Sequence, residues 1–106
     1  RLELDLRLGA DAARISVPEA EAILRCVQEA LTNAAKHSSA QRLSVELQRV
    51  GAAWQLAIHD DGDKIPEVRD GGGLRGMQER FESLGGMLNW SAVPGMPLNA
   101  TWPVRE

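Results

Sequence analysis

SVPEAEAILRCVQEALTNAAKH, residues 16–37, is the longest helical signal in the chain, and the other elements can be arranged around it. Ala20, Ile23, Leu24, Val27, Ala30, Leu31 and Ala34 recur at three- and four-residue spacing and predict one broad apolar stripe. Ser16 with Glu19 three residues on reads as a capping box, and Pro18 sits in the first turn, where its missing N–H costs nothing. The other side of this helix is polar: Glu29, Asn33 and His37 lie four apart and climb one edge, with Lys36 beside them.

Working outward, RLELDLRL at 1–8 alternates Leu2, Leu4, Leu6 and Leu8 with charges, the pattern of a half-buried strand, and Gly9 to Ile15 loops into the helix. Beyond the helix, Leu43, Val45 and Leu47 alternate in a second strand, Gly51 supplies a turn, and Trp54, Leu56 and Ile58 alternate in a third. The period of two carries Asp60 onto the inward face of that third strand, at its mouth. A polar Gly/Asp/Pro-rich loop, DGDKIPEVRDGGG at 61–73, follows. Leu74, Met77, Phe81 and Leu84 then predict a short amphipathic helix stopped by Gly85-Gly86. Leu88, Trp90 and Ala92 read as a fourth strand, and Leu98, Ala100, Trp102 and Val104 as a fifth, with Pro103 marking a strand end or a sheet edge. Two hairpins set around helices predict an α/β two-layer sandwich, a mixed, mostly antiparallel five-stranded sheet with the helices on one face. A doubly wound parallel sheet would require strict alternation of strand and helix.

Length and composition narrow the function. At 106 residues the chain is one domain, 1–106, with 43% hydrophobic and 25% charged residues, as expected of a folded globule. A net charge of -3 without a Lys/Arg block argues against a nucleic-acid surface. The single cysteine, Cys26, supports neither a disulfide framework nor a thiolate metal site and suits a reducing compartment. No run of 18 apolar residues is present, so no membrane span or direct membrane contact is expected. The absence of an initial methionine reads as a fragment of a longer protein.

Chemistry concentrates in a few positions. Glu29 and Asn33 put a carboxylate and an amide one turn apart, a pair suited to oxygen-ligated Mg²⁺ and to polarising an attacking group. Gly71, Gly72 and Gly73 lead into a helix and offer backbone N–H groups and the positive end of its dipole to a phosphate. Asp60 can accept a hydrogen bond from an exocyclic amine such as that of adenine. Each has a plainer reading: Glu29 and Asn33 as solvated helix residues, Lys36 and His37 as favourable charges near a helix C-terminus, and Asp60 as a turn cap.

QEALTNAAKH at 28–37, DDG at 60–62, GGGLRGMQER at 71–80 and LGG at 84–86 stand in the order and spacing that resembles the ATP-binding catalytic domain of sensor histidine kinases. The likeness is to the short-lidded, nitrate- and sugar-phosphate-responsive subfamily, within the ATPase superfamily shared with gyrase, Hsp90 and MutL, and it covers nearly the whole chain. The resemblance implies a Bergerat-type fold, ATP and Mg²⁺ as cofactors, and a catalytic set of Glu29, Lys36 and His37. Glu29 would orient or deprotonate the attacking group, Asn33 would ligate Mg²⁺, and Lys36 and His37 match positions near the phosphates. Asp60 would read the adenine amine with Gly62 allowing close approach. Gly71, Gly72, Gly73, Leu74, Gly76 and Met77 would form the second glycine box, behind a short lid from Asp63 to Gly72.

Two residues depart from the family pattern. Lys64 stands where a second glycine is usual; at a positive φ it would cost roughly 1 kcal/mol. Met96, after Gly95, stands where a threonine is usual, and loss of one ordinary hydrogen bond there corresponds to about a fivefold loss of affinity. The implied reaction is transfer of the γ-phosphoryl group to a histidine on an upstream dimerising helix pair, with a response-regulator receiver domain as later partner. His37 and His59 are poor acceptors, one lying in the nucleotide box and the other pointing away from Asp60. The isolated domain is then a cytoplasmic monomer with little self-phosphorylation, from a homodimeric parent that can reside in the inner membrane. The alternatives are a degenerate nucleotide-binding or protein-interaction module, and a serine kinase of the anti-sigma type.

Overall fold

The computed structural model describes residues 2–37, 39–64 and 73–105, with His37 described by its backbone alone. In chain order the elements are β1 (Glu3–Leu8), a 3-10 turn (Ala12–Arg14), α1 (Val17–His37), β2 (Arg42–Val50), β3 (Ala53–Asp60), α2 (Gly73–Ser83), β4 (Met87–Trp90) and β5 (Leu98–Pro103). The five strands form one sheet in the order β1-β2-β3-β5-β4. β1 runs parallel to β2 and every other pairing is antiparallel. Both helices pack on one face, α1 over β2 and β3, α2 over β4 and β5. The mixed two-layer sandwich expected from the two hairpins is therefore the fold.

Local chemistry sets the helix ends. Glu19 Oε1 accepts from the Ser16 N–H at 2.9 Å while Ser16 Oγ accepts from the Glu19 N–H at 3.4 Å, a reciprocal capping box. At the end of α2 the Gly86 N–H donates to Phe81 O at 2.8 Å and the Gly85 N–H to Glu82 O at 2.9 Å, with Gly85 at a φ of 82°, a Schellman stop. Gly86 answers a tighter demand: a Cβ there would lie 2.0 Å from Thr101 O and 2.6 Å from Trp102 Cβ.

The inward residues of the strands, Leu43, Val45, Leu47, Trp54, Leu56, Ile58, Leu88, Leu98, Ala100 and Trp102, are all buried. The buried row of α1, however, is not the one that the large aliphatics suggest. Ala22, Cys26, Ala30 and Ala34 face inward, while Ile23, Val27 and Leu31 are only partly buried, Ala20 is exposed and Leu24 is 57% exposed. Small side chains every fourth residue let the helix axis approach the sheet, and the larger ones close over its flank.

Two strand expectations also need correction, and a third is decided between its alternatives. Leu4, Leu6 and Leu8 lie beside Leu43, Val45 and Leu47 in parallel register, yet they are 48%, 52% and 58% exposed. β1 is an edge strand and the helix layer packs on its neighbours, so this leucine row has a partner on one side only. β4 ends at Trp90, leaving Ala92 exposed beyond it. Pro103 ends β5 rather than marking an edge, because β5 lies between β3 and β4; β4 pairing begins at Thr101, so the missing N–H of Pro103 takes no bond from that ladder.

A buried polar link ties the layers together. Glu19 is 8% exposed, and its Oε2 accepts from the Trp102 indole N–H at 2.5 Å. Trp102 in turn packs on Phe81, with ring centroids 5.1 Å apart and planes 37° apart. The cap of α1, the last strand and α2 thus share one cluster.

Candidate functional site

On α1, Arg25, Gln28, Glu29 and Thr32 recur at three- and four-residue spacing and form one stripe; on α2, Gly73, Gly76, Met77 and Arg80 do the same. The two stripes line a cleft of about 300 Å³ between the helices. Four expected site residues meet there: Glu29, Gly73, Gly76 and Met77. The carboxylate of Glu29 lies over the first residue of α2, where a Cβ built on Gly73 would stand 2.8 Å from Oε1 and 3.2 Å from Oε2. Only a residue without a side chain leaves Glu29 in this place.

Arg25, Gln28, Thr32 and Arg80 are not among the residues that the sequence singles out. Arg25 lies one helical turn before Glu29 and Arg80 one turn after Gly76, so spacing carried a signal for both. Thr32 Oγ1 donates to Gln28 O at 3.0 Å, which occupies its hydrogen within its own helix.

Asn33 is half-buried one turn beyond Glu29, and Lys36 is exposed; neither lines this cleft. His37 closes α1. Met77 is only 4% exposed and belongs to the core, with Leu74 packed against it, so both anchor α2. Gly71, Gly72 and most of the expected lid, from 65 to 72, lie outside the described residues. A wider hollow of about 950 Å³ beyond the end of α1 is lined, among the described residues, by positions such as Ala34, Ala35, Ser39 and Asp61, none of them an expected site residue.

Asp60 ends β3, half-buried on the same face as Trp54, Leu56 and Ile58. Its Oδ1 accepts from the Gly62 N–H at 2.7 Å, and its own N–H donates to Gly95 O at 2.9 Å. Oδ1 therefore does cap a turn, which fixes the carboxylate's direction at the mouth of the strand. Asp61 serves the sheet instead, since its Oδ1 accepts from the N–H groups of Gln41 at 2.8 Å and Arg42 at 3.0 Å, pinning the start of β2. These two bonds, that from Arg42 foremost, hold the Asp61 carboxyl below the usual range. Asp63 is likewise held low, first by the Ser39 hydroxyl, which donates to its Oδ1. Cys26, on the buried row of α1, is pushed up to about 12 by burial and then by the charge of Glu29.

Lys64 is exposed and does not have a positive φ, so lysine in place of glycine costs no backbone strain there. Among the described residues Met96 is the non-glycine residue with a positive φ, 36°, and it is 7% exposed. It follows directly on Gly95, whose carbonyl accepts from the Asp60 N–H.

A family model described as "Histidine kinase-, DNA gyrase B-, and HSP90-like ATPase" matches residues 19–104. The chain belongs to this family. It is 35% identical over 104 residues to the sensor histidine kinase LnrJ of Bacillus subtilis, covering 96% of this chain and 26% of that protein. Against the signal transduction histidine-protein kinase/phosphatase UhpB of Salmonella typhimurium it is 33% identical over 104 residues, covering 96% of this chain and 20% of that protein. Its fold superimposes on the blue-light activated histidine kinase EL346 of Erythrobacter litoralis with a TM-score of 0.72 and 25% identity, over 98% of this chain and 36% of that one. The chain thus spans about a quarter or less of the curated relatives named here. It is an ATP-binding domain homologous to the catalytic domains of sensor histidine kinases, within a family of catalytic ATPases. No helix among the described residues is long and apolar enough to cross a membrane.

Proposed function

We propose that the chain is the catalytic domain of a sensor histidine kinase, binding Mg-ATP and passing its γ-phosphoryl group to a histidine on a dimerising helix pair of the parent protein. The observation that carries this reading is the placement of the Glu29 carboxylate against Gly73, at the start of the helix that follows the glycine run. In this reading Asp60, aimed by Gly62 and Gly95, accepts from the adenine amine. The N–H groups at the start of α2 receive phosphate oxygens, and Lys36 adds positive charge. The Asn33 side-chain oxygen, a hard donor one turn from Glu29, fits Mg²⁺, which needs few protein ligands when phosphates supply the others. That ion would draw charge from the phosphate oxygens.

Glu29 acts on the acceptor. Its carboxylate receives the N–H of one imidazole nitrogen while the other nitrogen attacks the γ-phosphorus. As the N–P bond forms, the bond from phosphorus to the bridging oxygen breaks, and ADP leaves with that electron pair. A response-regulator receiver domain is the subsequent phosphoryl acceptor, and the parent acts as a homodimer with this domain on the cytoplasmic side. The backbone at Lys64 supports the active reading over a degenerate module, since no positive φ is imposed on it.

Titration of the chain with a non-hydrolysable ATP analogue, with and without Mg²⁺, tests the reading. Saturable, Mg²⁺-strengthened binding is expected; no saturation at millimolar nucleotide would reject it.

A further inference from the structure

The α1–α2 cleft is lined by two arginines to which the proposed nucleotide contacts give no role. Arg25 stands one turn before Glu29 on α1, Arg80 lies in the last turn of α2, and both line the same space as Glu29, Gly73 and Gly76. A basic residue in a last turn suits the helix dipole, which accounts for a charge at Arg80 but not for Arg25, in the middle of α1. Arg25 has a carboxylate four residues on, yet it forms no ion pair with it; the ion pairs among the described residues are Arg7–Asp5 and Arg42–Glu3. Two exposed arginines, one on each helix, therefore line the same cleft as one carboxylate, in a chain whose net charge is -3.

We infer that Arg25 and Arg80 clamp a phosphoryl group at the outer side of this cleft, beside Glu29. A guanidinium fork matches the oxygens of a phosphoryl group with two parallel N–H donors, whereas an isolated carboxylate ligand would gain less beside Glu29. The cleft, about 300 Å³, is at the lower end of ligand-pocket volumes, so it suits a ring and one phosphoryl group rather than a whole nucleotide. Charge on a phosphoryl group in transfer is spread over its equatorial oxygens, and fixed cations aimed at that position lower the barrier most. The inference rests on the kinase reading and deepens it: Glu29 handles the proton of the acceptor while Arg25 and Arg80 hold the group that is moved. That group has two sources, the terminal phosphate of bound nucleotide and a phosphoryl already joined to the acceptor imidazole.

The test measures binding of three probes to the 106-residue chain by calorimetry and NMR shift titration: Mg-ADP, Mg with a β,γ-imido ATP analogue, and phosphoramidate, whose N–P bond stands for phosphoimidazole. Arg25→Gln and Arg80→Gln are expected to weaken the triphosphate analogue, phosphoramidate or both by about tenfold, the loss typical of one charged hydrogen-bonding group, with Mg-ADP within about twofold of wild type. Arg80→Lys, which keeps the charge but not the fork, should recover part of the loss. A loss confined to the triphosphate identifies the nucleotide as the source, and a loss confined to phosphoramidate identifies the transferred group. Unchanged affinity for both probes in both glutamine variants overturns the clamp. If wild type fails to bind Mg-ADP, the nucleotide reading falls, and the phosphoramidate arm still decides the clamp.

Discussion

Glu29 occupies the space that a side chain on Gly73 would need: a Cβ at position 73 would sit 2.8 Å from Glu29 Oε1. The two residues are 44 positions apart in the sequence, and their contact joins the polar edge of α1 to the start of α2. It also separates stability from chemistry, because the atom in the way is the far end of a flexible side chain.

Gly73→Ala should therefore fold. Alanine adds up to about 1 kcal/mol of helix propensity, which offsets the cost of swinging the carboxylate aside. Displacing the carboxylate by about 1 Å should lower acceptor phosphorylation in the full-length parent by about 10- to 100-fold. Thermal melts and transfer rates check both halves; an unchanged rate with an unchanged melting temperature would remove Glu29 from the mechanism.

The Glu19–Trp102 bond should show itself in pH dependence. Burial alone would raise the Glu19 carboxyl, but bonds from the Ser16 N–H, the Ser16 hydroxyl and the Trp102 indole, with the charge of Arg105, hold it below its ordinary 4.5. A lowered folded value means that the unfolded chain binds the proton more readily. The associated stability is present above about pH 4.5 and is lost as pH falls through the folded value. Urea melts from pH 6 to pH 3 should be less steep in pH for Glu19→Gln than for wild type. Trp102→Phe, which removes one bond to a charged group, should cost about 1.5–3 kcal/mol at pH 7. Parallel pH curves for wild type and Glu19→Gln would contradict this assignment.

Cys26 should be chemically silent in the folded chain. It is 0% exposed and its thiol is pushed up to about 12, so the reactive thiolate is scarce and out of reach. No labelling by iodoacetamide is expected at pH 8 without denaturant, and full labelling in high urea. Rapid native labelling would show that α1 lifts from the sheet.

Gly86→Ala is expected to destabilise by at least about 2 kcal/mol, because the new Cβ would meet the backbone of β5 at 2.0 Å, and no rotamer change relieves a clash with backbone. Denaturant melts measure it. A loss below about 0.5 kcal/mol, the range of ordinary surface changes, would mean that β4 and β5 part easily.

Features that depend on neighbours within a few residues are legible in the order of amino acids alone. Ser16 and Glu19 mark the start of α1, Gly85 and Gly86 the end of α2, and strict alternation marks β2 and β3, because caps, turns and side-chain periods are closed by local bonds. The same locality made Glu29 and Gly73 legible as separate candidates. Their meeting, and the convergence of Arg25 and Arg80 on the same cleft, depends on how α1 and α2 lie side by side, which no short window of sequence contains. The tertiary structure also decided which face of α1 is buried. Ala22, Cys26 and Ala30 lie against the sheet while Leu24 is exposed, since close approach of a helix favours small side chains over hydrophobic bulk. Leu4, Leu6 and Leu8 read as an ordinary inward row, yet a strand's pattern says only which residues share a face. Whether that face is covered depends on the helix layer, and here the helices pack on the strands further in.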